Sequence, residues 1–193
     1  MVQLDHMTRG RAMFGVGPGA LPSDAAQMGI DARQSRRMME ESIDVIIPLL
    51  EGERVSAETD WFTLKDAKLQ HASFTRPRME MAVTSVRSPA GALLAGRYGL
   101  GLLSLGGQSD EALAAYAKNW SVYEETAAAN GQVADRARFR IAAQMHISDT
   151  REQALKDIKF GVEQWGRYAR DVLPLGPVPK EVDSVADFIV ESR

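Results

Sequence analysis

Apolar residues are concentrated in four short runs along the chain, at residues 13–16, 79–84, 100–105 and 138–145. Each run is rich in aliphatic side chains and gives way to small or polar residues, a pattern typical of a buried β-strand. A longer segment with helical spacing of apolar residues follows each run. This alternation predicts an α/β fold, in which parallel strands are joined by crossover helices.

The first predicted helix lies between the first two strands. Met39, Ile43, Ile46 and Leu50 recur at the spacing of one helix face. Ser35 is the expected N-cap, because its hydroxyl can accept a hydrogen bond from a free N–H of the first turn. Further helices are predicted to begin at Ser88-Pro89, at Ser109-Asp110-Glu111 and at Asp149-Thr150, and a last one is predicted over residues 182–189.

Residues 54–69 alternate between apolar and polar side chains, which predicts a β-hairpin with Asp60 near its turn. Trp61 and Phe62 on this hairpin fit two interpretations equally well, a lid over an active site or a cap on the core. No low-complexity linker divides the chain. The pattern therefore predicts four βα units with a small hairpin insertion, in a single domain over residues 1–193.

The composition argues against a nucleic-acid-binding, membrane-spanning or secreted protein. Of the 193 residues, 45% are apolar and 25% are charged, and the formal net charge is −3, which is typical of a globular domain without a basic surface for nucleic acid. No apolar run approaches the roughly 20 residues of a membrane span. The N-terminal segment also lacks the pattern of a secretory signal. We expect a cytoplasmic protein that binds neither nucleic acid nor membrane.

The sequence gives little support for thiol-dependent sites or for metal sites. Cysteine is absent, which excludes disulfides, thiolate metal sites and cysteine nucleophiles. His6, His71 and His146 are isolated, without a partner at the spacing of a helical metal site. The carboxylates show no spaced pair that requires acid–base catalysis. We expect no metal centre, and the sequence identifies no catalytic residue.

Two junctions between strand and helix carry the candidate chemistry. The first strand ends in Gly-Pro-Gly at residues 17–19, and the second ends in Thr84-Ser85 and continues into Ser-Pro-Ala-Gly at residues 88–91. Small residues let backbone N–H groups and hydroxyls face an anionic ligand without obstruction, and a helix N-terminus favours negative charge. These junctions predict a site for a phosphate-bearing cofactor.

Taken alone, each of these motifs has a simpler explanation. Residues 15–20 match the loose dinucleotide fingerprint G-x-G-x-x-G/A, but Pro22 falls where its helix should continue, and no acidic residue ends a second strand about 20 positions later. Ser88-Pro89 alone would be a helix cap, and Arg36 alone a solvated charge. Only in the company of Arg36 and the glycine turn does Ser88-Pro89 favour a cofactor site.

Several motifs follow one another in a recognisable order, at residues 4–11 (LDHMTRGR), 14–19 (FGVGPG), 29–31 (GID), 35–36 (SR), 88–91 (SPAG) and 95–99 (AGRYG). Through the order and spacing of these motifs, the chain resembles the bacterial luciferase-like flavin-dependent monooxygenase family. Within this family it most resembles the limonene and alkane monooxygenase branch. The resemblance implies a TIM-type (β/α)8 barrel that binds reduced FMN, or the deazaflavin F420 in sister branches. It also implies a flavin reductase, O2 and a small apolar substrate as partners.

The resemblance assigns residues to the cofactor site. Arg36 matches the arginine that neutralises the flavin phosphate, and the loop with Ser85 and Ser88 matches the segment that holds the same phosphate. Gly17 and Thr84 replace a reactive cysteine and a glutamate of luciferase itself, which argues against light emission. The resemblance therefore implies a cofactor-binding set of Gly17, Pro18, Gly19, Arg36, Thr84, Ser85, Ser88 and Gly91.

The chain differs from the family in length. A complete barrel needs about 250 residues, and the motifs place this chain from around the fourth strand to the helix before the eighth. We therefore expect a partial barrel that lacks the first strands and the closing strand. Two hypotheses follow: an enzyme completed by a second polypeptide, or a non-catalytic flavin-binding remnant that dimerises through its open sheet edges.

Overall fold

The computed structural model describes residues 1–105, 110–143, 145–172 and 184–185. In chain order the helices are α1 (Val2–Thr8), α2 (Pro22–Gln27), α3 (Ser35–Glu51), α4 (Ala90–Tyr98), α5 (Asp110–Ala129) and α6 (Arg151–Asp171), and the strands are β1 (Met13–Val16), β2 (Val55–Glu58), β3 (Thr63–Ala67), β4 (Glu80–Thr84), β5 (Gly101–Leu105) and β6 (Phe139–Ala142). The predicted cap at Ser109 lies outside the described residues, as does the helix predicted over 182–189 apart from residues 184 and 185.

The chain divides into two compact units, one made by the described residues of 1–18 and 33–142, the other by the described residues of 19–32 and 143–193. The first unit contains both sheets and four of the helices. The second contains α2 and α6. The prediction of a single domain over residues 1–193 stays a prediction.

The main sheet has four parallel strands in the order β1-β4-β5-β6. The central strand β4 is nearly continuous in apolar residues, and Met81, Ala82 and Val83 are at most 1% exposed. Such a run is typical of a strand that is covered on both faces. The prediction of an α/β fold with parallel strands and crossover helices is confirmed, and the fold is consistent with a partial (β/α) barrel.

Helix α3 covers the sheet with the apolar face that its periodicity predicted. Ile43 and Leu50 are buried in the main core together with residues of β4, α4 and β5. At its last turn, Glu51 accepts a hydrogen bond from Arg78 Nη1 at 2.6 Å, just before β4 begins. The helix therefore ends at the amino edge of the sheet, where the parallel strands start, and its first turn lies towards the opposite end.

Local predictions of helix starts were less accurate. Helix α3 begins at Ser35 itself, with Gln34 in the cap position and no side-chain cap, so the prediction of Ser35 as N-cap was wrong. Helix α4 begins at Ala90, and Pro89 is its cap residue rather than its first residue. A Pro φ near −65° suits either position, so the sequence alone does not separate them.

The N-terminal helix α1 was not predicted, because it is fixed by a contact distant in sequence. Asp5 in α1 is fully buried. Its carboxylate accepts hydrogen bonds from the Thr75 backbone N–H at 2.9 Å and from the Thr75 hydroxyl at 3.0 Å. A buried carboxylate needs such donors, and no periodic pattern in seven residues reveals them.

The predicted hairpin is confirmed as β2 and β3, which pair antiparallel. Its turn lies against α3, because Arg37 forms a bidentate pair with Asp60 at 2.8 and 2.9 Å. The indole N–H of Trp61 donates to Glu41 at 2.7 Å. Trp61 remains 42% exposed, which argues against its acting as a cap on the core; a lid role stays a prediction.

In the second unit, α6 begins where the sequence predicted, with the Thr150 hydroxyl accepting from the Gln153 N–H at 3.1 Å. Val185 packs against Val162 on this helix. None of the described helices is both long and apolar enough to cross a lipid bilayer.

Candidate functional site

The carboxyl edge of the sheet, where the parallel strands end, brings two of the predicted junctions together. Val16 at the end of β1 pairs with Val83 of β4, so that Gly17 and Thr84 are the next residues on neighbouring strands. A Cβ built on Gly17 would overlap the Thr84 hydroxyl. A side chain at residue 17 would therefore require the Thr84 side chain to move.

The loop from β4 to α4 is held in shape by its own serines. The Ser85 hydroxyl donates to the Ser88 carbonyl at 2.9 Å, and the Ser88 hydroxyl accepts from the Ala90 N–H at 3.3 Å. Ser85 is 2% exposed, whereas Ser88 is partly exposed. The Ser85 hydroxyl therefore uses its proton in a hydrogen bond within the loop. The Ser88 hydroxyl is the one that a ligand can reach.

Gly91 brings the N-terminus of α4 against the end of β4. A Cβ built on Gly91 would overlap the carbonyl oxygen of Thr84 and lie 2.9 Å from the Ser85 Cβ. Any side chain at residue 91 would push the helix away from the strand. The glycine predicted for a ligand site therefore has a packing function that does not depend on a ligand.

Two buried residues that were not predicted from the sequence hold the loop from β4 to α4 in place through hydrogen bonds. Ser104 of β5 donates to the Ser85 carbonyl at 2.6 Å. Asn119 of α5 donates through Nδ2 to the Ser85 carbonyl at 3.3 Å and to the Val86 carbonyl at 3.0 Å, and both side chains are fully buried. The signal in the sequence was an amide on a helix face that is otherwise apolar.

The first turn of α4 keeps backbone donors available. The Ala90 N–H donates to Ser88, and the Leu93 N–H donates to the Pro89 carbonyl at 2.9 Å. The N–H groups of Gly91 and Ala92 donate to no acceptor among the residues that the structure describes. Free N–H groups at a helix N-terminus, together with the helix dipole, are suited to an anion.

Arg36 is the predicted cation of the site, and it differs from its neighbour Arg37. Arg37 is bound to Asp60 and Glu41, and its guanidinium holds the pKa of Asp60 below the usual value. Arg36 lies exposed in the first turn of α3 and forms no ion pair or hydrogen bond within the described ranges. No hydrogen bond joins it to Ser88, so its role at the site stays a prediction.

The remaining predicted residues follow Gly17 in the chain. Pro18 is partly exposed and ends the first of the two segments that form the first unit, whereas Gly19 begins the second unit. Gly19 has a φ of +80°, a conformation that favours glycine. Their proposed proximity to a flavin ring stays a prediction.

The donor set at this edge fits the phosphate of a cofactor. Two free backbone N–H groups and the Ser88 hydroxyl are neutral donors at a helix N-terminus, and the glycine at residue 91 lets this terminus pack directly against the end of β4. Among the described residues, no group of three or more His, Asp or Glu side chains comes together to hold a metal ion.

Comparison with known proteins identifies the family. The sequence model of the luciferase-like monooxygenases matches residues 1–184. The chain belongs to the luciferase-like monooxygenase family. It is 44% identical over 189 residues to limonene 1,2-monooxygenase from Rhodococcus erythropolis, covering 98% of this chain and 48% of that protein. It is also 44% identical over 184 residues to 4-hydroxyprotoasukamycin monooxygenase from Streptomyces nodosus subsp. asukaensis, covering 92% and 48%.

Superposition on solved structures supports the same fold for this chain. Monooxygenase RslO1 from Streptomyces bottropensis superposes with a TM-score of 0.76 at 21% identity, over 86% of this chain and 50% of its own. The FMN complex of the oxygenating constituent of 3,6-diketocamphane monooxygenase from Pseudomonas putida, a type II Baeyer–Villiger monooxygenase, gives 0.67 at 24%, over 87% and 49%. An F420-dependent secondary alcohol dehydrogenase with an F420–acetone adduct gives 0.62 at 20%, over 100% and 56%.

The chain spans about half the length of the relatives and structures that it matches. The predicted membership of the luciferase-like family is confirmed. What the complete relatives catalyse is therefore a matter of proposal for this chain.

Proposed function

We propose that this chain holds the phosphate end of reduced FMN at the carboxyl edge of its sheet, as part of a monooxygenase that acts on a small apolar substrate. The observation that supports the proposal most strongly is the loop from β4 to α4. There the Ser88 hydroxyl and the free N–H groups of Gly91 and Ala92 lie at one helix N-terminus.

In this proposal the residues have separate roles. Ser88 and the first turn of α4 bind the phosphate, and Arg36 supplies a guanidinium whose two N–H groups suit an oxyanion. Ser85 supports the loop through its hydrogen bond to Ser88. Gly17 and Thr84 form the sheet edge on which the cofactor ring rests. When bound, reduced FMN supplies the electrons for oxygen activation, and the protein orients it and excludes water.

Titration of this chain with FMN, riboflavin and F420 tests the proposal. FMN should bind more tightly than riboflavin, because riboflavin lacks the phosphate. The double variant Ser88→Ala/Arg36→Ala should lose that difference, which corresponds to about 2–4 kcal/mol for charge-assisted hydrogen bonds, while riboflavin affinity stays the same. Equal affinity of the unmodified chain for FMN and riboflavin would show that the phosphate assignment is wrong.

A matched control separates the two adjacent arginines. Arg37→Ala removes a neighbouring guanidinium whose partners are Asp60 and Glu41 on the protein itself. This variant should keep the preference for FMN over riboflavin. If Arg37→Ala instead abolishes the preference and Arg36→Ala does not, the cation of the site is Arg37.

F420 is the alternative cofactor. It shares with FMN a phosphate and a tricyclic ring, so the same loop can accommodate either. The superposition with an F420-dependent dehydrogenase extends over this entire chain, and this likeness concerns the fold. Tighter binding of F420 than of FMN in the titration would favour an F420-dependent oxidoreductase of the same fold.

Completion of the barrel is the second part of the proposal. Within the described residues β1 and β6 are the edge strands of the parallel sheet, and exposed edges favour pairing with further strands. We propose a complementing polypeptide with the remaining strands, beside a flavin reductase and O2 as partners in the reaction. Light scattering should show a 1:1 complex when such a polypeptide is added. A stable homodimer that does not take it up would favour the flavin-binding remnant.

A further inference from the structure

A cavity of about 630 Å³ lies at the amino edge of the sheet, opposite the proposed cofactor edge. Its walls come from the end of α3, the start of β4, the end of α4 and the residue that precedes β6, which contribute Glu51, Arg78, Tyr98 and Arg138 among others. All of these residues belong to the first unit. We name this feature the amino-edge cavity.

Positive charge predominates in the amino-edge cavity. Its lining contains the arginines Arg76, Arg78, Arg97 and Arg138, and the carboxylates Glu51 and Glu80. Glu80 accepts two hydrogen bonds from Arg140, which is outside the lining, at 2.6 and 3.2 Å, and it also forms an ion pair with Arg138 at 3.9 Å. The lining arginines therefore outnumber the carboxylates that remain to compensate them.

Two of these arginines have a structural explanation. Arg78 donates to the Tyr98 carbonyl at 3.4 Å and pairs with Glu51 at 2.6 Å. Arg138 donates to the Gly99 carbonyl at 3.0 Å. Both guanidiniums thus cap the C-terminus of α4, where the helix dipole favours positive charge.

Capping of α4 does not explain the remaining donors of the cavity, which are Arg76, Arg97 and the Nε–H of Arg78. Arg76 and Arg97 form no ion pair with a carboxylate in the part of the chain that the structure describes, although Arg97 interacts with the Tyr98 side chain, and both arginines are exposed at the cavity. The Nε–H of Arg78 is buried and has no acceptor among the described residues. A buried donor without a partner is destabilising and is commonly satisfied by a water or an ion.

We propose that the amino-edge cavity binds a small oxyanion, a carboxylate or phosphate group held by guanidinium donors. Guanidinium groups present paired N–H donors that match the oxygens of either group. The volume suits a small metabolite, and a concave site lined by an excess of one charge concentrates the opposite charge. This site is separate from the proposed cofactor edge and does not depend on it.

Calorimetric titration of the chain with succinate and with inorganic phosphate tests the site, with sodium chloride keeping the ionic strength constant. Saturable binding is expected for at least one of the two, and their relative affinities identify a dicarboxylate or a phosphate as the better ligand. The Arg76→Gln/Arg97→Gln variant should weaken binding at least about tenfold. Arg54→Gln, which alters an arginine outside the cavity, should leave it unchanged.

Inorganic phosphate can also occupy the proposed cofactor site, so the titration is repeated with Ser88→Ala/Arg36→Ala. Binding that persists in this variant and is lost in Arg76→Gln/Arg97→Gln assigns the anion to the amino-edge cavity. The opposite pattern, or no saturable binding beyond the chloride control, overturns the proposal. Arg76→Lys/Arg97→Lys keeps the charge without the paired donors and should bind with intermediate affinity; unweakened binding by this variant would contradict recognition by paired donors.

Discussion

The two edges of the parallel sheet, for each of which we propose an anion, carry different kinds of hydrogen-bond donor. In the loop from β4 to α4 at the carboxyl edge, the observed donors are neutral: they are backbone N–H groups of α4 and the Ser88 hydroxyl, in a loop held by Gly91 and the buried Asn119. At the amino edge, the donors are guanidinium groups, such as Arg78 and Arg138, on side chains that also cap the other end of α4.

The two edges should therefore respond differently to substitution. Close backbone packing in the core depends on shape, so substitutions at the carboxyl edge should be costly and insensitive to salt. Partly exposed ion pairs depend on screening and on protonation, so substitutions at the amino edge should be milder and sensitive to salt and pH.

Gly91→Ala should cause the largest loss of stability, about 3 kcal/mol in the free energy of unfolding. The new Cβ would overlap the Thr84 carbonyl, and the helix must move away from the strand. Urea denaturation at low and high salt measures the effect, which should be the same in both. Gly15→Ala is the control, because its Cβ meets open space. A loss below 1 kcal/mol for Gly91→Ala would contradict the packing argument.

Asn119→Ala should cost about 2 kcal/mol, because the carbonyls of Ser85 and Val86 lose a buried donor. It should also reduce the preference for FMN over riboflavin, since the loop that presents Ser88 is no longer fixed. Asn130→Ala alters an exposed asparagine that donates to the Thr126 carbonyl at 2.8 Å and should change both quantities little. Loss of stability without any change in FMN preference would restrict Asn119 to a structural role.

The sequence separation between contacting residues explains which features were predictable from sequence. The strands and the hairpin follow from alternation within a few residues, and β4 was predicted to within one residue of its observed start. Asn119 and Asp5 escaped prediction, because their partners Ser85 and Thr75 are 34 and 70 residues away. Gly91 was selected for a ligand, while its packing against Thr84 became visible only in three dimensions.

Arg78→Gln at the amino edge should cost about 1 kcal/mol. Arg78 pairs with Glu51, and their side chains are 15% and 29% exposed, so solvent screens part of the interaction. In contrast to Gly91→Ala, the effect should shrink as salt increases, because the charges are partly screened. Urea denaturation in 0.05 and about 1 M sodium chloride, roughly the range over which the Debye length falls several-fold, measures this dependence. A loss independent of salt would remove the proposed contrast.

The smallest expected effect concerns pH and again separates the two edges. Burial raises the pKa of Tyr98 at the amino edge, and the Asp44 carboxylate that accepts its hydrogen bond raises it further. Because the neutral phenol is favoured in the folded chain, the stabilisation is complete below the unfolded pKa of about 10 and is lost as the pH rises above it.

Denaturation of Tyr98→Phe between pH 8 and 11 tests this prediction. The variant should lose stability less steeply than the unmodified chain above pH 10, because one phenol no longer ionises on unfolding. Asn119→Ala, which changes no ionisable group, should follow the unmodified chain in parallel. If Tyr98→Phe also runs parallel to the unmodified chain, the phenol does not contribute to alkaline unfolding, and the amino edge is no more sensitive to pH than the carboxyl edge.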